Sequence, residues 1–213
     1  MKKCILKIAL RKFKTLIGLH KSHDEVQNIK IHNDYKYLIN KGVETELNFV
    51  FLGGTPIISK YQQSRIIIGK NVTLYSESVY NAAGINHPVI LATYSKDAVI
   101  EIGNNCGLSG TSIVAQKKIT IGENTMIGIN VNIYDTDFHS LDPSLRLDNI
   151  FDANKHSKEI VIGKNVWIGG NSTILKGVTI GENSVIGANS LVNKDVPANV
   201  LYAGIPAKYI KDI

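Results

Sequence analysis

Two cysteines, five prolines and one tryptophan are all that 213 residues contain of these types, and each scarcity removes an option. Cys4 and Cys106 stand far apart, which leaves neither a disulfide framework nor a paired-thiolate metal site; a reduced core thiol in a reducing cytoplasm is expected. Long apolar runs are missing too: Lys3, Lys7, Arg11, Lys12 and Lys14 interrupt the first twenty residues, so neither a signal-peptide core nor a membrane span is expected. Net charge is +6, yet residues 1–30 hold eight Lys or Arg against two acids, and the rest of the chain carries sixteen of each sign. A basic balance confined to one end argues against a nucleic-acid-binding body. His20, His23 and His32 fit no ligand spacing, and His87, His139 and His156 form no close pair, so no metal is expected. Eighteen glycines suit a turn-rich β solenoid, in a chain long enough for one well-cored domain with a small appendage.

What is abundant is a period of six. From Ile160 to Val196 an apolar residue falls on every sixth position: Ile162, Ile168, Ile174, Ile180, Ile186 and Val192. Four residues after each stands a small or β-branched one, namely Val166, Ser172, Val178, Ser184, Ser190 and Val196. Six residues turn an α-helix by roughly 600°, which scatters such residues around its axis, so a helix is excluded. Val166 and Ile168 flank Trp167 instead in the alternation of a very short strand. Between strands stand Gly169, Gly170, Asn171 and Gly181, Glu182, Asn183, residue types that reach positive φ at least cost. Three such sides close a triangle of about 18 residues, and triangles stack at strand spacing of roughly 4.8 Å around a ladder of Ile and Val. The unit Ile-Gly-x-Asn occurs eight times, beginning at Ile68, Ile102, Ile121, Ile127, Ile162, Ile168, Ile180 and Ile186, a repetition over half the chain that a solenoid explains.

In chain order, residues 1–50 read as an N-terminal segment and 51–213 as the solenoid. Met1–Leu19 reads as an amphipathic helix, with Ile5, Leu6, Ala9, Leu10, Phe13, Leu16 and Ile17 on one arc and Lys3, Lys7, Arg11 and Lys14 opposite. Two uses stay open for it: a cap on the solenoid end or a neighbouring subunit, or peripheral contact of residues 1–20 with an anionic membrane surface. Residues 20–50 read as polar and irregular. The solenoid opens at Ile66, breaks its period over Tyr80–Ala98, resumes at Ile102 and slips by one residue around Lys117 and Lys118. Between Asp135 and Glu159 the period stops entirely. After the last hexad Pro197 ends the strand series, and the tail over 197–213 is placed against the C-terminal end.

The loop over 135–159 is where function is expected, since a polar excursion from a rigid scaffold is the usual seat of chemistry. It opens with Asp135-Thr-Asp137-Phe-His139. A hydroxyl nucleophile ionises far above neutral pH, so activating one needs a base that is partly unprotonated at pH 7, which neutral imidazole supplies. Asp135, Asp137 and His139 share a side of a strand-like run, which offers either carboxylate to fix the histidine's tautomer; Asp137 serves equally as a loop residue bonding its own backbone.

These residues resemble a known family. Asn132-Ile-Tyr-Asp-Thr-Asp-Phe-His139, Val166-Trp-Ile-Gly-Gly170 and Val200-Leu-Tyr-Ala-Gly-Ile-Pro-Ala-Lys208 are similar to the hexapeptide-repeat acyltransferases, in the branch of maltose, galactoside and serine acetyltransferases and of sugar O-acetyltransferases of bacterial surface-polysaccharide pathways. The resemblance covers roughly 66–211. It implies an all-β fold, a left-handed parallel β-helix that departs from the usual crossover hand. It also implies a homotrimer with active sites between subunits, acetyl-CoA as acyl donor with no metal, a sugar or glycan-precursor acceptor, and His139 as general base with direct transfer. The donor would lie along the solenoid wall, with Gly169, Gly170 and Ala188 leaving room for it and Lys194 and Lys208 at positions that meet its phosphates. Trp167, pointing outward, serves either a subunit contact or the cofactor wall. Acceptor contacts fall on His87, His156, Asp135 and Ser109, the last where some of the branch carries an asparagine; Asn105 is the nearest asparagine on that coil. N-acetylation of an amino sugar, or acetylation of an antibiotic, uses the same base and stays open. A structural or ice-binding solenoid would need flat outward rows of threonine, and the outward positions here mix Lys, Glu, Asn and Thr.

Overall fold

The computed structural model describes residues 33–46, 50–147 and 156–213. The helix read over residues 1–19, with its basic face, and His20, His23 and His32 lie outside them. Elsewhere each hexad becomes one short strand, and the strands sort into three sheets of six, eight and six. Face 1 runs Glu44–Thr45, Arg65–Ile68, Val99–Ile102, Lys118–Ile121, Ile160–Ile162 and Thr179–Ile180. Face 2 runs Val50–Gly53, Val72–Tyr75, Gly107–Ser109, Met126–Ile129, Trp167–Ile168, Val185–Ile186, Val200–Gly204 and Ala207–Asp212. Face 3 runs Ile57–Ser59, Ile90–Thr93, Ser112–Ala115, Asn132–Tyr134, Thr173–Ile174 and Leu191–Val192. Neighbours are parallel except in the closing hairpin of 200–204 with 207–212, so the chain winds through one strand of each face per coil and makes a three-sided prism.

Register stacks like on like. Ile68, Ile102, Ile121, Ile162 and Ile180 form one inward column. Leu74, Leu108, Ile127, Ile168 and Ile186 form the second, and Ile58, Leu91, Ile113, Ile133, Ile174 and Val192 the third. All are buried, each side chain contributing about 1.5–3 kcal/mol by its removal from water. Ser172, Ser184 and Ser190, the small inward residues, are buried with their hydroxyls donating to the Gly187 and Pro197 carbonyls at 2.6–3.0 Å, which removes the penalty of a polar atom in the core.

The corners divide their work between two residue types. Positive φ falls on the asparagines: all eight Ile-Gly-x-Asn units place Asn there, at φ 55–60°. Gly169, Gly170 and Gly181, read from the sequence as sharing that task, do not adopt it. Their reason is closeness between coils. A Cβ at Gly122 would stand 2.5 Å from the Lys164 amide nitrogen, and one at Gly163 2.7 Å from that of Glu182, where no side-chain carbon fits. At the corner after face 1 the asparagine amides also bond one another, Asn71 to Asn105, Asn124, Asn165, Asn183 and Asn199 in turn, at 2.8–3.1 Å.

Four boundaries differ from the sequence reading. The coils begin at Glu44–Thr45, ahead of residue 51, preceded by helical residues 33–40 whose Leu38 is fully buried. Two-residue strands with a single inward side chain carry too little pattern to announce themselves. Interruption by the insertion is confined to about 76–89, including a single 3₁₀ turn at Ser78–Tyr80, because Ile90–Thr93 is a regular face-3 strand. Beyond Pro197 the series continues: Val196 bridges Ile180 and Val200–Gly204 pairs with Val185–Ile186. The tail then folds back as a hairpin instead of lying across the end. Among the described residues no helix is long and apolar enough to cross a membrane.

Candidate active site

Two features stand at different corners of the prism. The first is a cavity of about 520 Å³ on face 2 where the chain turns toward face 3, lined by Asn81, Ala83, Gly128, Ile129, Trp167, Gly169, Gly170, Val185, Ile186, Gly187, Ala188 and Leu201. Its walls are apolar and its floor is made of small residues, the form of a slot for an extended, partly apolar ligand. Trp167 is 58% exposed and stacks in register between Met126 and Val185. Four residues assigned to the donor from the sequence, Trp167, Gly169, Gly170 and Ala188, thus meet in one groove. Lys194 and Lys208 are not in its lining. Lys194 sits at the corner after face 3, and Lys208 on the outer hairpin strand. Gly169 would be glycine without any ligand, since its Cβ would meet the backbone of Ala188.

The second feature is the loop, which leaves at the corner between faces 3 and 1. Asp135 is completely buried, and its two carboxylate oxygens accept the Gln116 and Lys117 amides, both at 2.7 Å. Burial raises its carboxyl above the usual range against the pull of amides from Gln116, Lys117 and Lys118. The one-residue slip sets the Gln116 and Lys117 amides between the strands Ser112–Ala115 and Lys118–Ile121, and Asp135 supplies their acceptor. This corrects its assignment to the acceptor: its carboxylate is spent inside the prism. Its carbonyl accepts the Lys158 amide at 2.9 Å, which pinches the loop shut at its root.

From there the chain turns sharply. The His139 amide donates to the Asp137 carbonyl at 2.7 Å across Phe138, whose φ is +62°; an i to i+2 bond of that hand is rare and strained. The Phe138 ring packs edge-on against Tyr134 at 5.2 Å and Tyr94 at 6.2 Å. Among the described residues neither imidazole nitrogen of His139 has a hydrogen-bond partner, and the residue is exposed. Asp137, read as the histidine's orienting carboxylate, is engaged elsewhere: it accepts from the Lys176 ammonium, which also donates to the His156 carbonyl at 2.8 Å. Farther out, Asp142 bonds the Ser144 amide at 2.9 Å and caps the helix Pro143–Leu147. The Ser144 hydroxyl and amide hold the Asp142 carboxyl below its usual range.

Over the insertion the remaining assignments separate. The Asn81 amide donates to the Ser109 hydroxyl at 3.0 Å, and Asn81, carried by the insertion, lines the groove. Asn105 belongs to the corner ladder instead. His87 meets the Pro88 carbonyl at 2.8 Å through Nδ1; a carbonyl only accepts, so Nδ1 donates in that bond. Lys176 and Asn81 were both missed in the sequence: Lys176 looks like one more surface lysine, although counting hexads places it at the loop's corner one coil on.

A prism of parallel coils with its Ile-Gly-x-Asn corners defines a hexapeptide solenoid, and comparison with known proteins agrees. The family model described as bacterial transferase hexapeptide (six repeats) matches residues 159–194. The galactoside O-acetyltransferase of Lactococcus lactis subsp. lactis is 35% identical over 149 residues, covering 60% of this chain and 70% of that protein. That of Escherichia coli K12 is 42% identical over 121 residues, 56% of this chain and 57% of its own. A hexapeptide-repeat acetyltransferase of Vibrio cholerae O1 biovar eltor, crystallised with acetyl coenzyme A, superposes with a TM-score of 0.50 at 26% identity over 87% of this chain and 82% of that one. The chain belongs to the hexapeptide-repeat acyltransferase family, whose solenoid is a left-handed parallel β-helix. It spans about half the length of the first curated relatives it matches.

Proposed function

We propose that this protein is an acetyl-CoA-dependent O-acetyltransferase acting on a hydroxyl of a sugar or surface-polysaccharide precursor. The observation that carries the reading is the groove in which Trp167, Gly169, Gly170 and Ala188 meet, together with an unpartnered imidazole on the excursion at the next corner. Coenzyme A supplies the acetyl thioester; the groove's apolar walls would hold its pantetheine arm. His139 takes the proton of the acceptor hydroxyl as that oxygen bonds to the acetyl carbonyl carbon. Collapse of the tetrahedral intermediate breaks the carbon–sulfur bond, and the imidazolium returns the proton to the departing thiolate. Cys106, the one cysteine among the described residues, is buried in the core, which supports direct transfer over an acyl-enzyme on that thiol.

None of the loop's described residues lines the groove. A homotrimer completes the site, with the corner bearing His139 and Lys194 of one protomer set against the groove of the next. Lys194 and Lys208 then meet the donor's phosphates from outside the groove proper, and Asn81 and His87 face the acceptor.

The test is acetyl transfer from acetyl-CoA to a panel of galactosides, oligosialic acids and amino sugars, with His139→Ala as control. Transfer to a hydroxyl acceptor that falls about 10²–10⁴-fold in the variant supports the base. Undiminished transfer by His139→Ala rejects it, and transfer confined to amines replaces O- by N-acetylation.

A further inference from the structure

Lys176 occupies an unusual position for a solenoid lysine. It follows the inward Ile174 at the corner between faces 3 and 1, one coil beyond the root of the loop. Its side chain is about three-quarters withdrawn from solvent, as is that of its partner Asp137. One donor reaches the Asp137 carboxylate and another the His156 carbonyl, so a single ammonium joins the outgoing and returning strands of the loop. Backbone bonds from the Lys158 amide to the Asp135 carbonyl at 2.9 Å and from the Gly177 amide to the Lys158 carbonyl at 3.0 Å lie just inside it.

Immediately beyond this clamp is the positive-φ turn at Phe138, a backbone state that a bulky residue leaves unless its surroundings hold it. Tyr94 and Tyr134 hold the ring of Phe138; Lys176 holds the residue before it, whose carbonyl closes the turn onto the His139 amide. We infer that Lys176 is a positioning residue for the acetyl transfer: through Asp137 it keeps the turn closed and thereby aims His139. This rests on the reading of His139 as the base. It places Asp137 in the support of the loop and assigns it no proton of its own. The ion pair is sheltered, so its geometry is held more firmly than that of exposed pairs such as Lys164 with Glu182.

The experiment compares wild-type protein with Lys176→Met, Lys176→Arg, Asp137→Asn and His139→Ala. It reads steady-state turnover of acetyl-CoA with the best acceptor of the panel or, if none reacts, with water. It also reads the His139 ring resonances in ¹⁵N-histidine-labelled protein, assigned by their loss in His139→Ala. Lys176→Met should keep the thermal midpoint and the KM for acetyl-CoA within about twofold while kcat falls about 10- to 100-fold, the scale of an ångström's misplacement of a reacting group. Its His139 resonances should shift, Lys176→Arg should restore most of both, and Asp137→Asn combined with Lys176→Met should do little more than either alone. Wild-type kcat with unmoved His139 resonances in Lys176→Met overturns the proposal. Full turnover by His139→Ala refutes the base instead, and the resonances then still decide whether Lys176 orients the ring.

Discussion

Cys106 takes the inward slot four residues after Ile102, where its thiol donates to the Gly122 carbonyl at 3.2 Å, and burial pushes its pKa up to about 11. Below about pH 8.5 the thiol is protonated in folded and unfolded chains alike. Above it the unfolded chain gives up its proton first, so this contribution to stability is lost as the pH climbs toward about 11, where the buried thiol ionises as well. Urea midpoints measured from pH 8 to 11 should therefore fall less steeply for Cys106→Ala than for wild type, from a lower start. Asp135 carries a different load at the same scale. Asp135→Ala strips the buried Gln116 amide and the partly buried Lys117 amide of their acceptor and should destabilise the fold by about 2–3 kcal/mol in urea titration, with Asp135→Asn less damaging because one oxygen remains.

At the scale of the corner, glycine and asparagine are not exchangeable. Gly122 has an ordinary φ but no space, while Gly84 has φ +86° and nothing within 4 Å of an added Cβ. Gly122→Ala must push two coils apart and should lower stability by about 3 kcal/mol or more, as overpacking does; Gly84→Ala meets only backbone strain of about 1 kcal/mol. Thermal melts of the two variants measure the difference. Asn124→Ala loses a positive-φ residue and two rungs of the amide ladder together, and about 2 kcal/mol is expected from the backbone and hydrogen-bond shares combined.

For the whole molecule the decisive fact is that histidine and groove sit at separate corners. If the site is shared between protomers, the particle in light scattering has three times the 23.4 kDa of one chain. Mixing two dead variants, His139→Ala and a groove-filling Gly170→Trp, should then restore activity to about a quarter of wild type after subunit exchange, because that share of randomly formed interfaces joins an intact histidine to an intact groove. No recovery on mixing would place both halves of the site in one chain.

The core was legible throughout, residue by residue: every inward position from Ile162 to Val196 is buried where the period of six puts it. That follows because an inward side chain in a stacked coil answers to its own strand and to its register neighbours, both set by spacing alone. The loop's span was legible in the lapse of the period, and Trp167, Gly169, Gly170 and Ala188, which line the groove, were singled out through resemblance. The insertion's true limits, the strand at Glu44–Thr45 and the engagement of Asp135 and Asp137 were not, for a carboxylate's partner depends on which coil passes beside it. The sequence by itself determined a three-sided parallel prism with one long excursion, since no other backbone puts every sixth residue inside. Only the tertiary structure decided that Asn81 stands at Ser109, that Lys176 grips Asp137, and that His139 lies a corner away from the groove. These are meetings of side chains far apart in sequence, and the relation between corners exists only once the coils have closed.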